Sequence, residues 1–133
     1  MKILAFDSSS KALAIAILED EQLLAEMTIN IKKNHSITLM PAIDFLMESL
    51  DLKPTDLERI VVAEGPGSYT GLRIAVATAK TLAHTLKIGL VGVSSLRILV
   101  PESIDGLVIP LMDARRNNVY AGFYKNGRIV QPE

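Results

Sequence analysis

Residues 64–77 read EGPGSYTGLRIAVA. Three glycines and Pro66 separate an apolar run at 60–63 from a segment in which Leu72, Ala75, Val76, Ala79, Leu82, Ala83 and Leu86 recur with helical period. The pattern predicts a strand, a tight turn and a long helix whose alanines permit close approach to a neighbouring element. A glycine loop between strand and helix can aim free backbone amides and the positive helix end at an anion. Gly65, Gly67, Ser68 and Thr70 are therefore candidate nucleotide- or anion-binding positions. A purely structural reading competes: the glycines supply positive φ, Thr70 caps the helix, and Arg73 lies on its solvated face. From these residues alone the structural reading is preferred.

Established phosphate and nucleophile patterns do not fit the loop. A P-loop needs Lys followed by Ser or Thr after its last glycine, and Leu72-Arg73 stand there. A dinucleotide loop needs glycine where Thr70 stands, and no ribose-binding acid closes the next strand. A hydrolase elbow needs Gly-x-Ser-x-Gly, whereas Ser68 directly follows Gly67.

Towards the N-terminus, residues 2–6 form an apolar run ending in the polar cluster at 7–11, as expected of a strand covered on both faces. Two further apolar runs, 12–18 and 23–29, flank a short charged connection and predict a hairpin. Leu39, Ile43, Leu46 and Leu50 then mark one face of a first helix, with Pro41 leaving its start open. Thr55 and Glu58 have capping-box spacing for a short turn. Beyond the second helix, 88–93 reads as a strand, and Ser94 or Ser95 can cap a third helix that must end before Pro101. The order is βββαβαβα.

Residues 107–112 form another continuous apolar strand, Asn117 and Asn118 suit a turn, and Asn126-Gly127 is a hairpin signal. LAFDSSSKALAIAILEDEQLLAE and IPLMDARRNNVYAGFYKNGRIVQ both run from an apolar strand ending in Asp through a polar turn into a hairpin. The β-β-β order thus starts twice, giving a first lobe at 1–103 and an incomplete second lobe at 104–133. A terminal β-meander completing one domain is the competing reading.

Fourteen basic against fifteen acidic side chains in 133 residues leave a net charge of −1. No global positive field is available for strong autonomous nucleic-acid binding. Absence of cysteine removes disulfides, thiolate metal sites and cysteine nucleophiles, and fits a reducing cytosol. The opening apolar stretch stops at Asp7, far short of a signal-peptide core or of about 20 residues for a membrane span. The expectation is a soluble, cytoplasmic protein without membrane contact.

EGPGSYTGLRIAVATAKTLA resembles the signature of the TsaB family, also called YeaZ, within the actin-like ATPase superfamily; FDSSS and DARRNNVYAGFY agree with it. The resemblance implies an α/β, RNase H-like or actin-like ATPase lobe followed by the first strands of a similar lobe. Family members are longer by roughly a further lobe, so the end at Glu133 implies a truncated chain. It also implies a noncatalytic scaffold of the TsaD threonylcarbamoyltransferase, and through it of TsaE, in forming threonylcarbamoyladenosine on tRNA. The alternatives are a glycoprotease-like peptidase or an actin-like ATPase. No cofactor is implied for the chain alone; ATP and Mg²⁺ enter only in the complex.

The resemblance extends to TsaD, the family's catalytic paralogue, and implies comparison with its metal site, which needs two histidines one helical turn apart; here the position four beyond His35 is Leu39, and His84 has no partner. No metal site and no catalytic residue are assigned. In working superfamily members the aspartates closing the first strand of each lobe face nucleotide phosphates; these map by motif to Asp7, beside Ser8, and to Asp113. Local turn hydrogen bonds are the weightier reading of both. The remaining opportunity is a surface: Ile37, Met40, Asp44 and Met47 on the first helix, and Ile74, Ala77, Thr78 and Thr81 on the second, form stripes poor in charge. They serve either a four-helix contact, with the TsaD homologue or in a homodimer, or the protein's own core.

Overall fold

β1 (Lys2–Asp7) lies at the centre of a five-stranded sheet in the computed structural model, which describes residues 1–30, 35–100, 106–114, 118–125 and 128–131. β2 (Ala12–Glu19) pairs antiparallel with β1, and β3 (Gln22–Asn30) pairs antiparallel with β2. On the other side, β4 (Arg59–Gly65) pairs parallel with β1 and β5 (Gly89–Ser94) parallel with β4, giving the order β3-β2-β1-β4-β5. α1 (His35–Ser49) and α2 (Tyr69–Leu86) connect these strands, and α3 (Ser95–Ile98) follows β5. The mixed α/β architecture and the βββαβαβα order agree with the sequence reading.

The core lies between one face of this sheet and the two long helices. Leu4, Phe6, Leu13, Ile15, Ile17, Ile60 and Val62 alternate along β1, β2 and β4 and meet Leu39, Ala42, Ile43, Leu46 and Met47 of α1. From α2 come Ala75, Ala79 and Ala83, whose small side chains let the helix approach the sheet closely. Each fully buried Leu or Ile contributes roughly 1.5–3 kcal/mol of transfer free energy, so this alternation fixes the strand register. Pro41 is accommodated inside α1, which begins at His35.

Two local expectations change. The turn after α1 is a 3-10 helix at Pro54–Asp56, closed by Asp56 Oδ2 accepting from Lys53 N (2.8 Å), not by Thr55 and Glu58. Glu58 instead donates its amide to Lys2 O (2.9 Å), tying the segment to β1. The expected strand at 107–112 is two strands, β6 (Leu107–Val108) and β7 (Leu111–Asp113), because Pro110 has no amide hydrogen for the ladder. Their partners are β9 (Phe123–Lys125) and β8 (Val119–Ala121), interrupted opposite Pro110 at Gly122, whose N–H reaches Pro110 O (3.3 Å). One register therefore runs through both pieces.

β10 (Arg128–Gln131) pairs antiparallel with β9 across positions 126 and 127, which lie outside the described residues. The C-terminal strands meet α3 where the Arg97 guanidinium lies over the Tyr124 ring, 5.9 Å from its centroid. Tyr124, Leu96 and Val100 are buried there. Among the described residues no helix is long and apolar enough to cross a membrane.

Candidate partner-binding site

The glycine loop is occupied by the protein itself. Ser8, immediately beyond β1, is buried, and its hydroxyl donates to Gly71 O at 2.6 Å. Ser68 N donates to Ser9 O at 2.7 Å, and Ser9 N donates to Asp7 Oδ1 at 2.8 Å. A β-carbon at Gly67 would strike Ser9 O, and one at Gly71 would strike Ser8 O. These two glycines are required because the 7–10 turn and the loop interlock backbone to backbone.

The helix cap differs from expectation. Ser68 is the N-cap of α2, accepting from Gly71 N (3.3 Å), and Leu72 N bonds Ser68 O (2.8 Å). Thr70 is an exposed residue of the first turn, because the cap geometry falls where φ and ψ leave the helix, two residues earlier. Of the candidate anion-binding set, Asp7, Ser8, Gly67 and Ser68 come together, with Gly65 and Thr70 flanking them. The Ser8 hydroxyl proton and the Ser68 amide point at protein acceptors. The side chain of Asp113 lies outside the described residues.

The outer faces of α1 and α2 form an open groove of about 350 Å³ lined by Met40, Ala77, Thr78, Thr81 and Leu82. Four of these five are stripe residues expected from the sequence. Thr81 Oγ1 donates to Ala77 O (2.9 Å) within its own helix, so its hydroxyl proton is already satisfied and the wall can be desolvated cheaply. Met40 is 39% exposed, and Asp44 is exposed beside it.

The stripes are not uniform. Met47 is only 5% exposed and belongs to the core, not to the outer face. It lies within about 40° of Ile43 around the helix, and Leu50 and Leu52 of the returning chain pack against the same cluster. Ile74 is half-buried and packs on the core margin. The side chains of Ile37 and His35 lie outside the described residues.

Two exposed aromatic side chains escaped the sequence reading. Phe45 is 61% exposed on α1, and Tyr69 is 73% exposed at the start of α2, with the Arg73 guanidinium 5.3 Å from its ring centroid. The signal was available for Phe45: the period that buries Leu39, Ile43 and Leu46 turns Phe45 outward. His84 is exposed on α2. Among the described residues no three His, Asp or Glu side chains are grouped to hold a metal ion.

Residues 22–130 match a family model described as TsaD: tRNA N6-adenosine threonylcarbamoyltransferase. The tRNA threonylcarbamoyladenosine biosynthesis protein TsaB of Bacillus subtilis (strain 168) is 50% identical over 135 residues, covering 98% of this chain and 59% of that protein. The chain thus spans less than two thirds of that relative's length. YeaZ from Pseudomonas aeruginosa superposes with a TM-score of 0.90 at 29% identity, covering 98% of this chain and 65% of the other. Thermus thermophilus RuvC, with a TM-score of 0.50 at 12% identity over 74% of this chain and 66% of its own, shares the fold alone.

Proposed function

Since the chain belongs to the TsaB (YeaZ) family of tRNA threonylcarbamoyladenosine biosynthesis proteins, we propose that it is the noncatalytic partner of a TsaD-type transferase, held by the outer face of α1 and α2. The groove between those helices carries the reading: Met40, Ala77, Thr78, Thr81 and Leu82 form an apolar depression with Phe45 and Tyr69 exposed on the same two helices. A two-helix face of this kind meets another as a four-helix contact, and a stable contact buries roughly 1,200–2,000 Å² in total. TsaE joins through the transferase, ATP and Mg²⁺ enter only in the assembled complex, and a homodimer on the same face competes with it. The chain acts in the cytoplasm. In this account the glycine loop is a fastening: it seats the N-terminus of α2 against the end of β1 and so sets the helix that the partner touches.

The test is titration of purified TsaD-type transferase with this chain and with Ala77→Arg, which keeps the fold because Ala77 is exposed. A guanidinium forced unpaired into the contact costs ~3 kcal/mol or more, which is roughly a hundredfold in affinity. The variant should also fail to support tRNA modification in the reconstituted system. Equal binding by the two proteins would remove this face from the account.

A further inference from the structure

The two helices that flank the groove carry opposite charge. α1 contains Asp44 and Glu48 and no Lys or Arg, whereas α2 contains Arg73 and Lys80 and no Asp or Glu, with Lys87 next after it; each helix also holds one histidine, His35 on α1 and His84 on α2. The side chains of Asp44, Glu48, Arg73, Lys80, His84 and Lys87 are exposed. Arg73, Lys80, His84 and Lys87 are spaced seven, four and three residues apart, which places them along one ridge about 21 Å long at 1.5 Å per residue. Among the described residues no ion pair joins the two sets; the ion pairs that form are Met1 with Asp20 and Lys2 with Glu19, at the end of the sheet where β1 begins and β2 turns into β3.

Helix electrostatics account for part of this. His84 and Lys87 lie at the C-terminal end of α2, where the helix dipole favours cations. Glu48 has the opposite fit: it is the penultimate residue of α1, where the dipole disfavours a carboxylate. Lys80 lies mid-helix, outside the reach of either end. An uncompensated acidic ridge and an uncompensated basic ridge, separated by an apolar groove, have the layout of an interface with a polar rim.

We infer that this face reads its partner by polarity: the occupant is the corresponding helix pair of the TsaD-type transferase, with carboxylates opposite the α2 ridge and basic groups opposite Asp44 and Glu48. The inference rests on the proposed function and names the chemistry of that same site. The family model that matches residues 22–130, and so spans both helices, describes the transferase itself; the partner therefore carries a helix pair in the same place. RNA fits less well, because the acidic ridge of α1 would repel phosphate and the groove would be left without an apolar partner.

Association kinetics with the cognate transferase test it, using Lys80→Glu, Asp44→Lys, the double variant and Ala77→Arg, each first checked for native circular dichroism. Salt is raised from ~0.01 M to ~0.15 M, shortening the Debye length from about 30 to about 8 Å. Each single reversal should slow association about five- to tenfold, leave dissociation nearly unchanged and flatten the salt dependence, as expected of rim charges. If Ala77→Arg blocks binding while the reversals alter neither association rate nor salt dependence, the polarity reading is overturned and the proposed function stands. If Ala77→Arg binds normally, the face itself is wrong and both readings fall. If the single reversals disturb only self-association, and the double variant restores it, the occupant is a second copy and the assignment to the transferase is overturned.

Discussion

Gly71→Ala provides the sharpest test of how the loop works, because local propensity and tertiary structure predict opposite signs. Gly71 is helical, and replacing a helical glycine by alanine ordinarily stabilises by about 1 kcal/mol. Here the new β-carbon would point into Ser8 O, a backbone atom at the end of β1 that cannot swing away. Overpacking of this kind costs typically about 1–3 kcal/mol. Displacing α2 would also break the Ser8 hydroxyl bond to Gly71 O, and an orphaned buried hydroxyl costs about 1–3 kcal/mol more. Subtracting the propensity gain leaves a net loss of about 1–5 kcal/mol, centred near 3. With a urea m-value of roughly 2 kcal/mol per molar, the unfolding midpoint should fall by about 1.5 M. Gly89→Ala, in β5, is the control without a clash, since its β-carbon would come no nearer than 3.9 Å to Arg59 Nε; its midpoint should stay put or rise slightly. A Gly71→Ala midpoint at or above the parent's, with unchanged m, would refute the interlock.

Three further outcomes follow from named contacts. Ser68→Ala removes the α2 cap and should cost about 1 kcal/mol in urea unfolding, whereas Thr70→Ala should be nearly silent; the reverse ranking would restore Thr70 as the cap. Met47→Ala should cost about 2–5 kcal/mol, while Met40→Ala should leave stability within about 0.5–1 kcal/mol and weaken partner binding, as read by parallel unfolding and binding curves. The Met1 ammonium donates to Asp20 Oδ1, and this hydrogen bond, ahead of the charges of Asp20, Glu58 and Glu19, raises its pKa above the ordinary 8.0. A raised folded pKa means that the stabilising contribution is fully present below pH 8.0 and is lost as pH climbs through the folded value. Asp20→Asn should move the amine back towards its ordinary value in the pH dependence of amine-reactive labelling; an unchanged profile would remove that pair from the account.

Much of the architecture is legible in the sequence because it depends on period. The alternation in β1 and β2 and the spacing of Leu39, Ile43 and Leu46 fix which face of each element is apolar, and an apolar face has to be buried. The repeated strand–turn–hairpin pattern likewise anticipates the C-terminal ladder. Pro110 was legible too, since a missing amide hydrogen interrupts a ladder wherever it falls, but the apolar run around it outweighed that signal.

The outer helix stripes show where period stops being informative. Met40 and Met47 are the same residue type two turns apart on one helix, yet one lines the groove and the other is core. The difference is made at the end of the helix, where the chain folds back so that Leu52 N bonds Met47 O and Leu50 and Leu52 pack on the same cluster, a local turn that the i, i+4 spacing does not announce. The loop teaches the same lesson: its glycines announce a close approach, but not to what. The sequence by itself determined the elements, their buried faces and the family signature, because propensity, period and turn chemistry act over a few residues. Only the tertiary structure decided that the close approach is to the carbonyls of Ser8 and Ser9, and that α1 and α2 leave an apolar groove between an acidic and a basic ridge. Those outcomes depend on which distant backbone and side-chain atoms compete for the same space.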